Sequence, residues 1–499
     1  MSPGVAMVAL ILVPLGGAAL AFAWPRAGRG AGGIAAGVAV WAAVALARHV
    51  HEAGPVLHRA GGWGAPLGID LRADGMAAWL LLVAAGVCVA VAVYADRYFA
   101  PTEGAAAADD GAHRRGFFWP LFLFLWGALN ALFLSADIFN LYVTLELLGF
   151  AAVALIALAG GRAALNAAMR YLFVSLAGAL FYLMGVALVY GAYSTVDLAL
   201  LAERVQPGPV SWVALTLMTV GLMMKAAVFP MHFWLPPAHA HAPAPVSALL
   251  SALVVKGAFY ILLRLWFEAF GLVVTPAAAQ WLGALGAAAI LWGSMLALVQ
   301  ARLKLLIAYS TVAQLGYLFL VFPLAGHAAG FNAWGGALFF LAAHACAKTA
   351  LFLAAGNVLR AAGHDRIGDF AGLAKMLPLT VTAIGLAGVS LMGLPPSSGF
   401  VGKWMLLMAA LHQGQWWWVA VILVGGLLAA AYVCRVLLCC CANAEGPVGA
   451  KPKPDVRVWT ALVLALISVA FGLVGSWPLE LLRAGAPVGD AVFIGGAAP

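Results

Sequence analysis

Fourteen apolar segments, each long enough to cross a bilayer as a helix, constrain this chain more than any other feature. A spanning helix needs about 20 mainly apolar residues, and continuous apolar runs exclude the alternating strands of a membrane barrel. Only 9% of the residues are charged, against about a quarter in a soluble protein. The sequence therefore predicts an all-α integral membrane protein with about fourteen spans, near residues 4–24, 31–48, 75–94, 116–134, 137–159, 163–191, 208–229, 244–266, 276–300, 303–322, 332–358, 377–412, 415–438 and 456–477.

Basic residues are distributed unevenly between the loops on the two sides. Fifteen fall on one side, Lys304 among them, and six on the other, Arg264 among them. Because Lys and Arg concentrate in cytoplasmic loops, we expect a multi-pass protein of the cell (inner or plasma) membrane with both termini outside. The N-terminus lacks a basic leader region, so we interpret the first segment as a helix and not a cleaved signal.

Ionisable residues inside the spans are the first candidates for function. Such groups are costly in a membrane and usually functional, and a lysine, unlike an arginine, releases its proton readily once desolvated. Opposite charge makes Glu146 the natural partner of Lys225. Arg170 lies near a helix start, so it is open to the alternative of reaching the interface. The sequence predicts a proton relay of Glu146, Lys225, Lys256, Lys348 and Lys403.

Prolines interrupt the seventh and twelfth spans. Broken helices in membranes line protein or water-filled cavities, and paired breaks in two halves of a chain indicate a transport site and repeats. LYVTLELLGF (141–150) resembles AYSTVAQLGY (308–317), so helices 4–8 would repeat as 9–13, with Gln314 in the place of Glu146. We expect the breaks at Pro230, Pro236, Pro395 and Pro396.

Histidines near the first break and in the eleventh span can relay protons close to neutral pH. A metal site is the competing interpretation, but the spacing fits no common zinc pattern. A hydrogen-bonded turn after the break is a further alternative for His239 and His241. We expect no metal and no cofactor, and a supporting polar path of Arg170, His232, His239, His241, Gln314 and His344.

Five stretches together resemble the antiporter-like subunits of respiratory complex I and of the multi-subunit (Mrp-type) cation/proton antiporters, over about residues 65–435. They are NLYVTLELLGF, MKAAVFPMHFWLPPAHAHAPAPVSALLSALVVKGAFYILLR, KLLIAYSTVAQLGY, HACAKTALFLAAG and GLPPSSGFVGKWMLL. The resemblance implies fourteen helices with two inverted five-helix repeats. It also implies an ion pair of Glu146 with Lys225, a central Lys256 and a lysine of the twelfth span at Lys403, while Lys348 fits a further basic position.

Within that family the chain is most similar to the D-type component of the Mrp-type antiporter, for example in GGWGAPLGIDLRADGMAAWLL. Two positions depart from the family pattern. Arg170 stands where a lysine is frequent, so it could be a fixed counter-charge to Glu146, and WLPPAH lacks the usual carboxylate.

The resemblance implies an ion-transporter subunit of a hetero-oligomer, not an enzyme in itself, that moves protons against a monovalent cation, Na⁺ in the first place. The alternatives are a pumping arm of complex I or a membrane-bound hydrogenase, a part of an inorganic-carbon uptake complex, and a scaffold or a transporter of another solute. We expect small membrane subunits and the lipid bilayer as partners, and no nucleic acid. The predicted divisions are 1–115 (three helices), 116–270 (first repeat), 271–438 (second, inverted repeat) and 439–499 (loop and last helix).

Overall fold

The computed structural model describes residues 2–100, 108–326, 330–443 and 452–488, and its architecture is almost entirely helical. Within those ranges, twelve helices are long and apolar enough to cross a membrane. Two shorter apolar helices, Pro209–Lys225 and Pro378–Met392, begin the two spans that the sequence predicts to be broken. The all-α membrane fold with breaks in the seventh and twelfth spans is confirmed.

The described part of the first half of the chain contains eleven helices and one hairpin. The hairpin pairs β1 (Val56–Arg59) with β2 (Asp70–Ala73) in antiparallel register, Val56 opposite Ala73. The helices are α1 (Pro3–Ala23), α2 (Gly28–Ala53), α3 (Gly75–Tyr98), α4 (Ala108–Leu134), α5 (Ile138–Ala157), α6 (Gly161–Tyr193), α7 (Leu198–Arg204), α8 (Pro209–Lys225), α9 (Leu235–His241), α10 (Ala244–Leu249) and α11 (Val255–Arg264).

Two π-helical turns, Leu250–Val254 and Leu265–Ala269, flank α11 and make the eighth span continuous to Ala269. The helices that follow in the described part of the second half are α12 (Pro276–Val299), α13 (Leu303–Phe319), α14 (Val321–Ala325), α15 (Gly330–Ala362), α16 (Leu373–Met376), α17 (Pro378–Met392), α18 (Ser398–His412), α19 (Trp416–Cys441), α20 (Val456–Ala470) and α21 (Ser476–Arg483).

The two broken spans are built alike. After α8, Ala227 adopts a left-handed conformation (φ 53°), and after α17 Gly393 does so (φ 81°). Pro230 lies in the first gap, and Pro395 and Pro396 lie in the second. Pro236, which the sequence suggests as a break, is instead in the first turn of α9, where a helix tolerates the missing N–H. This parallel construction agrees with two repeated units.

Close approaches between glycines hold neighbouring spans together. A Cβ atom on Gly221 of α8 would lie 2.3 Å from the carbonyl oxygen of Gly178 in α6. A Cβ atom on Gly316 of α13 would likewise lie 2.3 Å from the carbonyl oxygen of Gly286 in α12. Small residues at such crossings let helix backbones pack closely in a membrane.

Three spans form the centre of the bundle: α10 to α11, α13, and α15. They are almost completely enclosed by other helices, whereas α1, α19 and α20 face outward over most of their surface. The enclosed spans carry Lys256, Lys304 and Lys348. The predicted divisions at 115, 270 and 438 stay predictions, and residues 444–451 and 489–499 of the last division lie outside the described residues.

Candidate functional site

Lys225 and Glu146 contact each other where the seventh span breaks. Lys225 is the last residue of α8, and its Nζ donates to the Oε1 atom of Glu146 on α5. It also donates to the hydroxyl of Ser175 on α6, at 2.8 Å. The side chain of Lys225 is 5% exposed and that of Glu146 12%. Three helices therefore meet at one buried ion pair, and Ser175 is a member that the sequence analysis did not identify.

Lys256 lies in the first turn of α11, directly after a π-helical turn. Its Nζ donates to the backbone carbonyl of Ser251 within that turn. The hydroxyl of Ser251 hydrogen-bonds to that of Thr311 on α13, at 2.9 Å. Turns of this kind are rare in helices and recur at functional sites. Ser251 thus accepts from Lys256 with its backbone carbonyl and contacts α13 with its hydroxyl.

Lys348 of α15 contacts the same turn of α13, at Ile307 and Ser310. Its Nζ donates to the carbonyl oxygen of Ile307 at 2.9 Å and to the hydroxyl of Ser310. Thr311 donates to the same Ile307 carbonyl, at 3.0 Å. The Ile307 carbonyl therefore accepts from both Lys348 and Thr311, and Thr311 in turn contacts the hydroxyl of Ser251, whose backbone carbonyl holds Lys256.

Lys403 is bound differently from the other lysines. Its Nζ donates to the carbonyl of Leu391 in α17, at 2.7 Å, across the break in the twelfth span. The ammonium also lies over the ring of Tyr317, 4.2 Å from its centroid, and over Phe340 at 5.5 Å. Such cation–π contacts are strongest where water is excluded, so Lys403 has a site that accommodates charge without a carboxylate.

Two histidines lie between the lysines. His344 is 1% exposed and interacts electrostatically with Lys256, Lys348 and Lys403. In the described part of the chain neither of its ring nitrogens has a hydrogen-bond partner. His239, also 1% exposed, stacks on Phe352 at 4.7 Å between ring centroids. Both positions suit a group that accepts and releases protons.

The other predicted members make no recorded hydrogen bond to Lys256, Lys348 or Lys403 in the described part of the chain, although Gln314 shares Tyr432 with Ser310, the hydroxyl that Lys348 contacts. Gln314 donates to the hydroxyl of Tyr432 at 3.2 Å, and among the described residues it has no hydrogen bond to a lysine. His232 stacks near Phe229 beside the break, and His241 is exposed at the end of α9. The side chain of Arg170 is exposed on α6, and among the described residues the recorded ion pair of Glu146 is with Lys225, which in turn donates to Ser175.

Two residues that the sequence analysis assigned to loops are buried. Lys304 is 4% exposed, and its Nζ donates to the carbonyl of Ala242 at 2.5 Å. Arg264 is 2% exposed. The loop assignment was wrong for both because the spans extend further than their apolar cores. The sequence contained one indication that Arg264 is paired within the span: Glu268 lies four residues later, on the same face of a helix.

Arg264 is the centre of a cluster of four charges in which Arg264 and Asp74 are buried and Arg72 is partly exposed. It makes two hydrogen bonds to Asp74, at 2.5 and 2.8 Å, and a further one to Glu268. Arg72 contacts Asp74 at 3.1 Å and Glu268 at 2.9 Å. Burial raises the pKa of Asp74, but Arg264 and Arg72 outweigh it and hold that pKa below its ordinary value of 3.8. Two positive and two negative groups thus balance at the end of the eighth span.

The side-chain clusters described above do not form a metal-binding site. Across the described ranges, no group of three or more His, Cys, Asp or Glu side chains could hold a metal ion. The site therefore consists of lysines, histidines, hydroxyls and one glutamate. Such groups can transfer protons over short hydrogen-bonded distances.

Comparison with known proteins gives one family and several relatives that match most of the chain. Residues 135–429 match the family model described as NADH:quinone oxidoreductase/Mrp antiporter, TM. The chain is 40% identical to the N-type component of the NADH-quinone oxidoreductase of Desulforudis audaxviator, over 77% of this chain and 75% of the relative. It is 29% identical to the D-type component of the Na⁺/H⁺ antiporter of Alkalihalophilus pseudofirmus, over 73% of this chain and 72% of the relative. Among solved structures, the Mrp complex from Dietzia sp. DQ12-45-1b contains a chain that matches with a TM-score of 0.87 and 26% identity, over 98% of both chains.

Proposed function

The chain belongs to the NADH:quinone oxidoreductase/Mrp antiporter family of transmembrane proteins, and we propose that it is the proton-translocating subunit of a multi-subunit monovalent cation/proton antiporter. It is a multi-pass integral membrane protein, and its family consists of membrane subunits of antiporters or complex I-like assemblies. The proposal adds what drives proton translocation, which is exchange against a monovalent cation, with Na⁺ as the first candidate. It also adds the location in the plasma membrane.

One observation carries the proposal: the buried ammonium groups of Lys256 and Lys348 interact electrostatically with each other, and each is held by a carbonyl oxygen, of Ser251 and Ile307, instead of a carboxylate. Apolar side chains would pack two facing helices at least as well as two buried ammonium groups, because removing a charge from water costs free energy. Each can lose its proton, because a lysine desolvated in a protein deprotonates far more easily than an arginine. The arrangement therefore supports proton transfer along the middle of the membrane.

The Glu146–Lys225 pair would act as the switch of this relay. A carboxylate in contact favours the charged form of an amine, and desolvation favours the neutral form. If the pair separates when a neighbouring subunit or a bound cation attracts Glu146, Lys225 is left desolvated and releases its proton. Lys225 ends α8 at the break, where the backbone can shift without disturbing a continuous helix.

Partner subunits are part of the proposal. The structural relative is a chain of a multi-subunit membrane complex, and this chain exposes large apolar side chains such as Leu427 (72%) and Trp281 (73%). These surfaces suit lipid or the helices of small membrane subunits. We expect activity in the assembled complex and none in the isolated chain.

The first experiment identifies the driver. The chain is purified with its partners in mild detergent, and everything that remains bound is identified by mass spectrometry. Small membrane subunits without redox centres would support the antiporter. A chain that purifies alone would contradict the proposed assembly.

The second experiment tests the relay. Na⁺/H⁺ exchange is measured in vesicles with a pH-sensitive dye for Lys225→Ala and Lys256→Ala. We expect both to abolish exchange, while the matched control Lys375→Ala, an exposed lysine, retains it. Wild-type exchange in both variants would refute the proposed function.

A redox-driven proton pump is the second candidate, because the 40%-identical relative is a subunit of NADH-quinone oxidoreductase. The same relay would then respond to electron transfer in other subunits. Flavin or iron–sulfur proteins among the purified partners would favour it. Proton pumping would then depend on an electron donor and not on Na⁺.

A further inference from the structure

Lys304 is a buried lysine that the relay described above leaves unassigned. It lies in the first turn of α13 and is 4% exposed. The side chain of Arg302, two residues earlier, is 45% exposed. Lys304 therefore lies just beneath the surface of the bundle, on the face that the sequence predicts to be cytoplasmic.

The contacts of Lys304 are with the end of α9. Its Nζ donates to the carbonyl oxygens of Ala242, at 2.5 Å, and Ala240, at 3.5 Å. Carbonyls at the end of a helix have no partner within the helix, and a cation is favourable there. These contacts hold the ammonium group in place, but they would serve equally for a purely structural cap.

The position of Lys304 on α13 favours a role in proton transfer over a purely structural role as a helix cap. Lys304, Ile307 and Thr311 are three and four residues apart and so lie on one face of the helix. The distance from Lys304 to Thr311 along the axis is about 10 Å. We call Lys304, the Ile307 carbonyl, Ser310 and Thr311 the α13 polar stripe. It leads from beneath the surface to the groups that contact Lys348 and Ser251.

His239 is a buried histidine of α9 that interacts both with Lys304 and with lysines at the centre. It interacts electrostatically with Lys304, Lys348 and Lys256. Within the described residues its buried Nδ1 has no hydrogen-bond partner. A histidine placed among three lysines, with a ring nitrogen not engaged by the protein, can accept a proton on one side and donate it on the other.

The surface end has its own charged groups. Arg302 donates to Asp365 at 2.9 Å, and the backbone N–H of Leu303 donates to the Asp365 carbonyl at 2.8 Å. Asp365 is 3% exposed and interacts electrostatically with Lys304. The charged and titratable groups that face Lys304 are Arg302, Asp365, His239 and His241.

We propose that Lys304 is the residue through which the relay exchanges protons with the aqueous face that carries Arg302 and Asp365, by way of His239 to Lys348. In each transfer the Lys304 ammonium gives one proton to neutral His239 and becomes an amine. His239 passes a proton to the neutral amine of Lys348, and Lys304 takes its next proton from water at the surface. The inference rests on the proposed function, since it names one terminal of that relay.

The test uses the intact complex in vesicles and two variants, Lys304→Arg and Lys304→Gln. Both side chains can still donate to the Ala242 carbonyl, and neither exchanges protons as an amine does. Proton-coupled exchange is measured beside assembly, followed by size-exclusion chromatography. We expect both variants to assemble and to lose exchange on the order of a hundredfold, with Lys375→Arg unchanged.

The outcomes distinguish this inference from the proposed function. Exchange near the wild-type rate in either variant would show that Lys304 only caps α9 and would overturn the inference. Failure of both variants to assemble would assign it a structural role with the same consequence. If Lys225→Ala and Lys256→Ala both exchanged at the wild-type rate, the proposed function would fail, whatever Lys304 does.

Discussion

Replacing Arg264 by Met tests whether the buried charges at the end of the eighth span are balanced as the structure indicates. In the wild type, Arg264 and Arg72 face Asp74 and Glu268. Arg264→Met leaves two carboxylates against the one guanidinium of Arg72. The variant therefore contains one uncompensated negative charge at a site where Asp74 is 1% exposed.

The expected cost follows from the contacts. One pair of unit charges about 4 Å apart contributes roughly 4 kcal/mol at an effective dielectric constant of about 20. Arg264 contacts two carboxylates, but its own desolvation penalty disappears with it. Breaking a buried ion pair on one side costs about 3–5 kcal/mol in practice, and we expect Arg264→Met to lower the free energy of unfolding by that amount.

A second substitution sharpens the test because it should restore stability. In Asp74→Asn/Arg264→Met, Arg72 and Glu268 remain as a balanced pair. The asparagine can still accept the hydrogen bond from Ala77 N–H that begins α3, since Asn is as good an N-cap as Asp. We expect the double variant to regain more than half of the loss.

The assay is reversible unfolding in mixed detergent and SDS micelles, followed by tryptophan fluorescence, with Arg48→Met as the exposed control. The control should lie within about 0.5 kcal/mol of the wild type. A double variant less stable than Arg264→Met alone would refute the charge-balance reasoning, because it would mean that side-chain packing and not charge dominates.

Three further predictions concern packing, the relay and pH. Gly316→Val should destabilise the chain by several kcal/mol, since its Cβ would lie 2.3 Å from the Gly286 carbonyl oxygen; SDS unfolding measures this. Thr311→Val should preserve assembly but slow exchange in vesicles, because the Thr311 hydroxyl contacts Ser251 and shares the Ile307 carbonyl with Lys348, and an unchanged rate would show that these contacts do not position the relay. The native pKa of Asp74 lies below 3.8, so its stabilising effect relative to Asp74→Asn should be complete above that pH and be lost only as the pH falls through the lower native value.

Much of the fold could be predicted because apolar length is a local property. Twenty apolar residues in succession have one stable arrangement in a bilayer, and prolines between them mark the broken spans. The ends of the spans were predicted less well. Arg264 and Lys304 were assigned to loops by charge, yet each is buried because neighbouring helices supply carboxylates or carbonyl oxygens.

In the candidate site, too, the sequence identified some features and the tertiary structure was needed for the others. The cost of charge in a membrane was enough to select Lys225, Lys256, Lys348 and Lys403 from the sequence. Their partners were beyond sequence reasoning, since the carbonyls of Ser251, Ile307 and Leu391 are indistinguishable from any others in a list of residues. The sequence also could not show whether Arg170 pairs with Glu146, because the exposure of Arg170 depends on which face of α6 turns outward.

The sequence by itself determined that this chain is a bundle of membrane helices with buried amines, because hydrophobic length and the cost of desolvating charge act on each segment separately. Only the tertiary structure decided that Lys348 donates to the Ile307 carbonyl of α13 and that Arg264 meets Asp74, 190 residues away. Those contacts depend on how enclosed helices cross, and helix crossing is set by small residues such as Gly286 and Gly316 acting in pairs across the fold.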